Sequence, residues 1–183
     1  MRKLKHHEQK LLKKVNFYNW KSDDNVREAN ILTKYGIEKR EDYHKYNKIA
    51  TGITSLVAKL RKMKPSDEER IKMTQVLLEK LYSMGLIRNP QSLEDCEKLP
   101  ASAFCCRRLP VVMVRMKFCP DLIQAIKFVQ QGHVRIGPNI VSNPALLVTR
   151  EMEDHITWAE GSKIRRQVQE FNEEVDDYHL LGN

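Results

Sequence analysis

Side chains suited to phosphate binding cluster between residues 107 and 135. A guanidinium group is a planar fork of N–H donors that matches the oxygens of a phosphate. Arg108 and Arg115 are seven residues apart, so they share one face of a predicted helix, with Arg107 at its root. The remaining candidates around this face are Lys117, Lys127, Arg135 and the imidazole of His133, which equally suits capping of a helix end or a hydrogen bond to a hairpin. The pattern predicts a surface that binds a polyanion such as folded RNA.

A second basic cluster lies at the amino terminus. Residues Arg2–Trp20 carry Leu4, Leu11 and Val15 at helical spacing, which predicts a basic amphipathic helix. Its apolar stripe is thin, so we expect full ordering only against RNA or a protein partner, with a merely solvated helical face as the alternative. The candidate RNA-binding residues here are Arg2, Lys3, Lys5, Lys10, Lys13 and Lys14.

The net charge of +8 and pI near 9.3 also favour a polyanionic partner over an anionic membrane surface. The charge is unevenly distributed along the chain. Residues 1–64 hold 17 Lys or Arg against 7 Asp or Glu, and the remaining 15 cations and 17 anions of the totals follow. The five carboxylates after Arg166 predict a tail that avoids nucleic acid: Glu170, Glu173, Glu174, Asp176 and Asp177.

Catalytic and metal-binding patterns are weak in this sequence. There is no glycine-rich phosphate loop, and His7-Glu8 lacks the second histidine of a metalloprotease helix. Glu151, Glu153 and Asp154 suit a charge cluster at a strand edge better than a metal or acid–base site. The four cysteines form no CxxC pair and are interpreted as reduced packing residues. We therefore expect no catalytic residue, no metal and no cofactor.

Helical periodicity dominates the first half of the chain. Apolar residues at steps of three and four predict a helix over 41–63, stopped by Pro65. Ser66 and Glu69 have capping-box spacing for a following helix that ends at Gly85. The segment Asn89–Ser102, with two prolines and three acidic residues, predicts a linker.

The second half predicts two helices followed by a small antiparallel sheet. Leu109-Pro110 begins one helix, and Asp121 with Gln124 begins another that ends at Gly132. Residues 133–136 and 140–141 alternate around a turn at 137–139, and 145–149 and 155–158 are further strand candidates. Ile164, Val168 and Phe171 predict a last helix.

These elements predict an α+β protein with four parts. A basic helical N-terminal region spans 1–88, a linker 89–103, the helix–helix–sheet module 104–158, and a C-terminal helix with the acidic tail 159–183. A chain of 183 residues is short for a large catalytic domain in addition to this module, so no separate catalytic domain is expected.

The module resembles a known family. The runs RRLPVVMVRMKF and AIKFVQQGHVRIGPNIVSNPALLV look like the RNA-binding fold first known from small-subunit ribosomal protein S4. QGHVRIGPNIVSNP is the specific part, because it combines a helix end, a strand and two turns in fixed spacing. This resemblance implies an S4-type RNA-binding module of two helices and a small antiparallel sheet over about 104–158.

The segments that flank the module indicate which family of S4-like proteins the chain resembles. RKLKHHEQKLLKKVNFYNW, REDYHKYNKI, LLEKLYSMGLI and NPALLVTREMEDHITW are similar to the nucleolar S4-like proteins of the U3 small nucleolar ribonucleoprotein. The resemblance implies an RNA-binding protein of the nucleus and nucleolus that helps a small nucleolar guide RNA pair with pre-ribosomal RNA during 18S rRNA processing. It also implies two protein partners, a large acidic M-phase phosphoprotein scaffold and a Brix-domain sister protein, and neither a membrane nor a small-molecule substrate.

Two alternatives remain open, a structural small-subunit ribosomal protein and a regulatory RNA-modifying enzyme. The sequence also departs from the family pattern at two places. Ile136-Gly137-Pro138 replaces the usual Val-Asn-Gly of the hairpin, and Cys106-Arg107-Arg108 replaces three arginines. We therefore expect an altered hairpin turn and one phosphate contact fewer.

Overall fold

The computed structural model describes residues 2–14 and 25–172. The chain divides into two compact units, residues 1–34 and residues 35–183. The acidic tail from Glu173 onward and the predicted helical residues Val15–Trp20 lie outside the described residues. Within the described residues, no helix is long and apolar enough to cross a membrane.

The first unit contains helices α1 (His6–Lys14) and α2 (Asn25–Lys34). Helix α1 confirms the predicted helix in its described part, although it begins at His6 rather than Arg2. Glu8 stabilises the N-terminal end of α1, because its carboxylate accepts a hydrogen bond from the Lys5 backbone N–H over 2.8 Å. No residue of α1 is buried. Helix α2 was not predicted from the sequence.

The second unit begins with a helical hairpin of α3 (Arg40–Lys62) and α4 (Glu68–Ser83), which confirms both predicted helices. Helix α3 buries Tyr46, Ala50, Val57 and Leu60 along one face. The capping box at Ser66 and Glu69 is wrong, since the N-cap of α4 is Asp67 and makes no side-chain hydrogen bond. Gly85 ends the hairpin with φ +71°, a left-handed conformation that glycine adopts without strain.

The segment 89–103 contains the short helix α5 (Glu94–Glu97) and most of α6 (Ala101–Cys105). It is packed against the hairpin: Cys96 is fully buried in a core cluster with Val57, Leu78 and Leu81. Arg61 and Glu97 form an ion pair of 2.6 Å between α3 and α5. The segment that was predicted as a linker from its prolines is therefore packed against the helical hairpin.

The helix–helix–sheet module follows with α7 (Leu109–Arg115), α8 (Leu122–Gln130) and strands β1 (Val134–Ile136), β2 (Asn139–Ile140) and β3 (Ile156–Trp158). The strands form an antiparallel sheet in the order β2-β1-β3, with Arg135 opposite both Ile140 and Thr157. The helices cover one side of this sheet, and their shared core includes Leu109, Val129, Val134 and Ile156. The two helices, the sheet and the α+β class are confirmed.

Local details of the module differ from the predictions. Gly137 has φ +56° and precedes Pro138, so the two-residue turn places glycine where a type II′ turn needs a positive φ. Asp121 is the N-cap of α8 but makes no side-chain hydrogen bond, so the second capping box is also wrong. Residues 145–149 do not form a strand of the sheet. Leu147 instead makes an isolated antiparallel bridge with Arg108, next to backbone hydrogen bonds that join residues 146 and 148 to residues 109 and 107.

The chain after residue 149 forms α9 (Arg150–Glu153), β3 and α10 (Lys163–Phe171). Thr149 and Ser162 cap α9 and α10, each accepting a hydrogen bond through its hydroxyl oxygen. Helix α10 confirms the predicted last helix. Glu151, Glu153 and Asp154 lie on or directly after α9, so the strand edge predicted for them is wrong.

Candidate nucleic-acid interface

Arg107 lies in the interior of the second unit and not on the predicted exposed face. It is 5% exposed. Its guanidinium Nε donates to the Val148 carbonyl oxygen over 2.9 Å, and the group forms an ion pair with Glu153. Burial lowers the pKa of Arg107, and the Glu153 carboxylate opposes that shift. Arg107 therefore joins the start of α7 to α9 and corrects the expectation of a surface phosphate ligand.

Arg108 is also buried, at 3% exposure, and requires the same correction. Its Nη1 lies 3.6 Å from Asp42 Oδ2 and 3.4 Å from the Tyr46 hydroxyl, both on α3. The Tyr46 ring stacks on Phe104 with 6.0 Å between centroids. Burial raises the pKa of Tyr46, while Arg108 opposes this. Arg108 thus connects the helical hairpin to the module, and the face that Arg108 and Arg115 were expected to share does not form.

Of the three predicted arginines at positions 107, 108 and 115, Arg115 has the side chain that reaches solvent. Its side chain is 52% exposed. The same Glu153 oxygen that binds Arg107 also binds Arg115, so one carboxylate holds two guanidinium groups. Arg115 can leave this exposed contact at small cost, whereas Arg107 cannot. Arg115 therefore stays a candidate for phosphate contact.

Lys117 and Lys127 are exposed, and neither forms an ion pair with any residue that the structure describes. Lys117 follows the end of α7 with φ +64°, the one positive φ of a non-glycine residue recorded for the described chain. This backbone conformation costs about 1 kcal/mol for a residue with a Cβ atom. Both ammonium groups are available to a phosphate without breaking an internal contact.

Arg135 and His133 lie at the sheet. The Arg135 guanidinium donates from Nε to Thr157 Oγ1 over 3.0 Å and from Nη1 to Glu160 over 2.7 Å. His133 Nδ1 is 3.1 Å from the Ser162 hydroxyl, and its ring meets Phe128 edge-on. The His133 backbone N–H donates to the Phe128 carbonyl at the end of α8. His133 thus holds local structure together, and its contact with RNA stays a prediction.

The six predicted cations of the first unit are all exposed: Arg2, Lys3, Lys5, Lys10, Lys13 and Lys14. Arg2 forms an ion pair of 2.6 Å with Glu8, in which the Arg2 side chain is 70% exposed. Such surface pairs contribute little stability and exchange readily. These six cations are therefore exposed to solvent, and the Arg2–Glu8 pair holds its arginine only weakly.

Three of the four cysteines are packing residues, as predicted. Cys96, Cys105 and Cys119 are buried, and burial raises the pKa of the Cys105 thiol to about 11. Cys106 donates to the Tyr35 hydroxyl over 3.4 Å, and this hydrogen bond raises the pKa of Tyr35 to about 12. Among the described residues, no three His, Cys, Asp or Glu side chains are grouped as metal ligands.

Sequence analysis did not identify Arg150 and Arg165, two further arginines whose side chains make specific contacts in the structure. The Arg150 guanidinium lies 4.1 Å from the centre of the Tyr82 ring and donates to the Ile87 carbonyl over 2.8 Å. Arg165 approaches the Glu160 carboxylate that also binds Arg135. The partners of Arg150 are more than sixty residues away in sequence, so no local spacing could have identified them.

Comparison with known proteins agrees with this geometry. The family model described as "Ribosomal protein S4/S9 N-terminal domain" matches residues 3–105, and the S4 domain matches residues 107–154. The U3 small nucleolar ribonucleoprotein protein IMP3 of Saccharomyces cerevisiae is 49% identical over 97% of this chain and 98% of its own length. The human protein of that name is 48% identical over 98% of each chain, and the small ribosomal subunit protein uS4 of Picrophilus torridus is 28% identical over 78% of this chain and 79% of its own.

The two matched domains and the helix–helix–sheet module define an S4-type RNA-binding protein. At nearly half identity over almost its entire length, the chain belongs to the family of the U3 small nucleolar ribonucleoprotein protein IMP3. The predicted resemblance is confirmed. The relatives are named as ribonucleoprotein and ribosomal components, which agrees with the expectation that the chain is not an enzyme.

Proposed function

We propose that this protein is an RNA-binding component of the U3 small nucleolar ribonucleoprotein that acts in ribosome biogenesis, in the nucleolus. The observation that carries the proposal is the 49% identity over 97% of the chain to the yeast protein of that particle. The exposed cations of both units support RNA as the partner, because exposed Lys and Arg side chains supply the electrostatic part of RNA binding.

The finer proposal is that the protein assists pairing of the guide RNA with pre-ribosomal RNA during 18S rRNA processing. Two separate sets of exposed cations support it, one on α1 and one on the S4-type module. Each set can neutralise phosphates of a different strand, which lowers the repulsion between two RNAs that must pair. Such assistance uses binding energy alone and consumes no nucleotide. The proposed module ligands are Arg115, Lys117, Lys127, His133 and Arg135.

An annealing assay tests the pairing proposal. Two labelled complementary RNA fragments, one guide-like and one precursor-like, are mixed with the full chain or with a chain lacking residues 1–14, and duplex formation is followed by energy transfer. We expect the deletion to abolish acceleration of annealing while binding to a single stem–loop RNA stays within roughly tenfold. A full-length variant with Lys10, Lys13 and Lys14 changed to Gln keeps residues 1–14 and removes half of their six Lys and Arg side chains, and it should also lose acceleration. Equal acceleration by all three proteins would overturn the two-surface proposal.

Protein partners are proposed from family membership. A large acidic M-phase phosphoprotein scaffold and a Brix-domain sister protein are the expected neighbours in the particle. Co-purification of either with the tagged full chain, after nuclease treatment that removes RNA-mediated association, tests this. Loss of both after nuclease treatment would show that RNA, and not protein contact, links them.

The second candidate is a permanent structural role in the small ribosomal subunit, favoured by the similarity to uS4 proteins at 28% identity. Sedimentation separates the two candidates. A component of the maturation particle travels with pre-ribosomal particles and is absent from mature small subunits, whereas a structural protein is present in them.

A further inference from the structure

The Glu160 carboxylate lies against two arginines that are thirty residues apart in the chain. Its Oε1 is 2.7 Å from Arg135 Nη1 and 3.7 Å from Arg165 Nη1. Arg135 is on β1, Arg165 is on α10, and Glu160 is in the turn between β3 and α10. We propose that Arg135 and Arg165 form a binding site for one backbone phosphate of RNA, and that Glu160 occupies this site until RNA displaces it. This site rests on the RNA-binding function proposed above.

The arrangement of the two arginines fits an oxyanion. Arg135 faces Thr157 across the antiparallel pairing of β1 and β3, and its Nε is held by the Thr157 hydroxyl. This hydrogen bond fixes the guanidinium plane, so that the Nη1 edge points to the position now held by a carboxylate oxygen. Arg165 approaches the same oxygen from α10. A backbone phosphodiester carries the same single negative charge as the carboxylate, and its two non-bridging oxygens can accept hydrogen bonds from the two guanidinium groups.

Glu160 can leave this position without disturbing the fold. Its side chain is 72% exposed, while its neighbours Ala159 and Ser162 are buried and hold the turn. An exposed ion pair of this kind contributes little to stability. The side chains of Arg135 and Arg165 are 27% and 35% exposed, so both reach solvent once Glu160 moves away.

Glu153 provides an internal contrast, because it also binds two arginines. One of them is Arg107, whose side chain is only 7% exposed. Departure of Glu153 would leave a buried guanidinium without its carboxylate, which is strongly unfavourable. The Glu153 pair is therefore structural, whereas the Glu160 pair is exchangeable.

The exchange predicts an effect on salt dependence as well as on affinity. In the wild-type chain, the displaced Glu160 carboxylate stays near the bound phosphate, so its negative charge offsets part of the neutralisation of that phosphate and fewer RNA counterions are released. With Glu160→Gln, the arginines lose their internal anion and contribute fully to the electrostatic attraction. The slope of log affinity against log salt should then become steeper by up to about 0.9, the contribution of one further phosphate contact.

The test measures binding of a stem–loop RNA to the full chain over a salt series. We expect Glu160→Gln to bind about threefold more tightly, since it removes a weak surface competitor. Arg165→Ala should bind about threefold more weakly, and adding Glu160→Gln to it should restore little affinity, because the site is then incomplete. Urea unfolding of each variant checks that stability is unchanged.

Glu170→Gln is the matched control for net charge. Glu170 is exposed on α10, and it forms no ion pair with any residue that the structure describes. This variant should leave affinity within the error of the wild type. Two results would overturn the site: an equal gain in affinity from Glu170→Gln, or the full gain in affinity from Glu160→Gln in the Arg165→Ala background. Either result would show that the total charge, and not this site, determines the gain. Unchanged affinity of Glu160→Gln beside normal wild-type binding would overturn the site alone, whereas absence of wild-type binding would overturn the proposed function with it.

Discussion

Helix α1 and residues 107–108 look alike in the sequence, as short runs of positive charge, but their roles in the structure differ. The cations of α1 are all exposed, and no residue of that helix is buried. Arg107 and Arg108 are 5% and 3% exposed and bind Glu153, Asp42 and the Val148 carbonyl. The cations of α1 are exposed to solvent, whereas Arg107 and Arg108 form internal contacts that connect the start of α7 to α9 and α3.

This difference shows that a positive charge in the sequence is not always available to bind a phosphate. A buried guanidinium that already has a carboxylate and a carbonyl acceptor cannot also bind a phosphate without breaking the fold. An exposed lysine on a helix with no core of its own can do so at little cost. Burial and internal partners therefore decide which of the 32 Lys and Arg residues are candidates for RNA contact.

Removal of one carboxylate in each region should give the largest contrast in stability. Glu153→Gln leaves Arg107 buried without its ion-pair partner, and we expect the free energy of unfolding to fall by about 3 kcal/mol. Glu8→Gln removes the partner of Arg2, whose side chain is 70% exposed, and should change it by less than about 1 kcal/mol. Urea unfolding followed by circular dichroism measures both. Equal, small losses in the two variants would show that the ion pair of Arg107 with Glu153 is no more structural than that of Arg2 with Glu8.

A glycine substitution should give a smaller effect that tests the same interior cluster. A Cβ atom at Gly85 would lie 2.7 Å from the Arg107 guanidinium, and Gly85 has φ +71°. Gly85→Ala should therefore lower the free energy of unfolding by about 1–3 kcal/mol.

Gly52 is the control for this substitution, because it lies within α3 and a Cβ atom there would meet nothing within 4 Å. Gly52→Ala should raise stability by up to about 1 kcal/mol, as alanine favours a helix more than glycine does. A neutral Gly85→Ala variant would mean that the Arg107 side chain moves aside freely, against a structural role.

The helices and the hairpin could be predicted because their signals are local. Apolar residues at steps of three and four located α3, α4, α8 and α10, and the alternation around Gly137 located β1 and β2. The strand predicted at 145–149 was wrong because the backbone of this segment forms an isolated bridge with residues 107–109 and does not pair with a strand of the sheet. Both capping boxes were wrong because the spacing of two residues does not fix the geometry of their side chains.

The candidate site was harder to predict because burial of a charge depends on distant partners. Glu153 is 46 residues from Arg107, and Asp42 is 66 residues before Arg108 in the numbering. No local pattern distinguishes Arg108 from an exposed arginine such as Arg115. Lys117, Lys127 and the cations of α1 were placed on the surface as predicted, since lysine is rarely buried.

The salt dependence of RNA binding tests most directly whether available rather than total charge binds RNA. The affinity of a stem–loop RNA is measured over a salt series for the wild type, the double variant Lys117→Ala with Lys127→Ala, and Arg108→Gln under conditions where circular dichroism shows it folded. The double variant should lower the magnitude of the log–log slope by nearly two, at about 0.9 for each lost phosphate contact, and Arg108→Gln should keep the wild-type slope. A wild-type slope in the double lysine variant together with a reduced slope in Arg108→Gln would contradict the account.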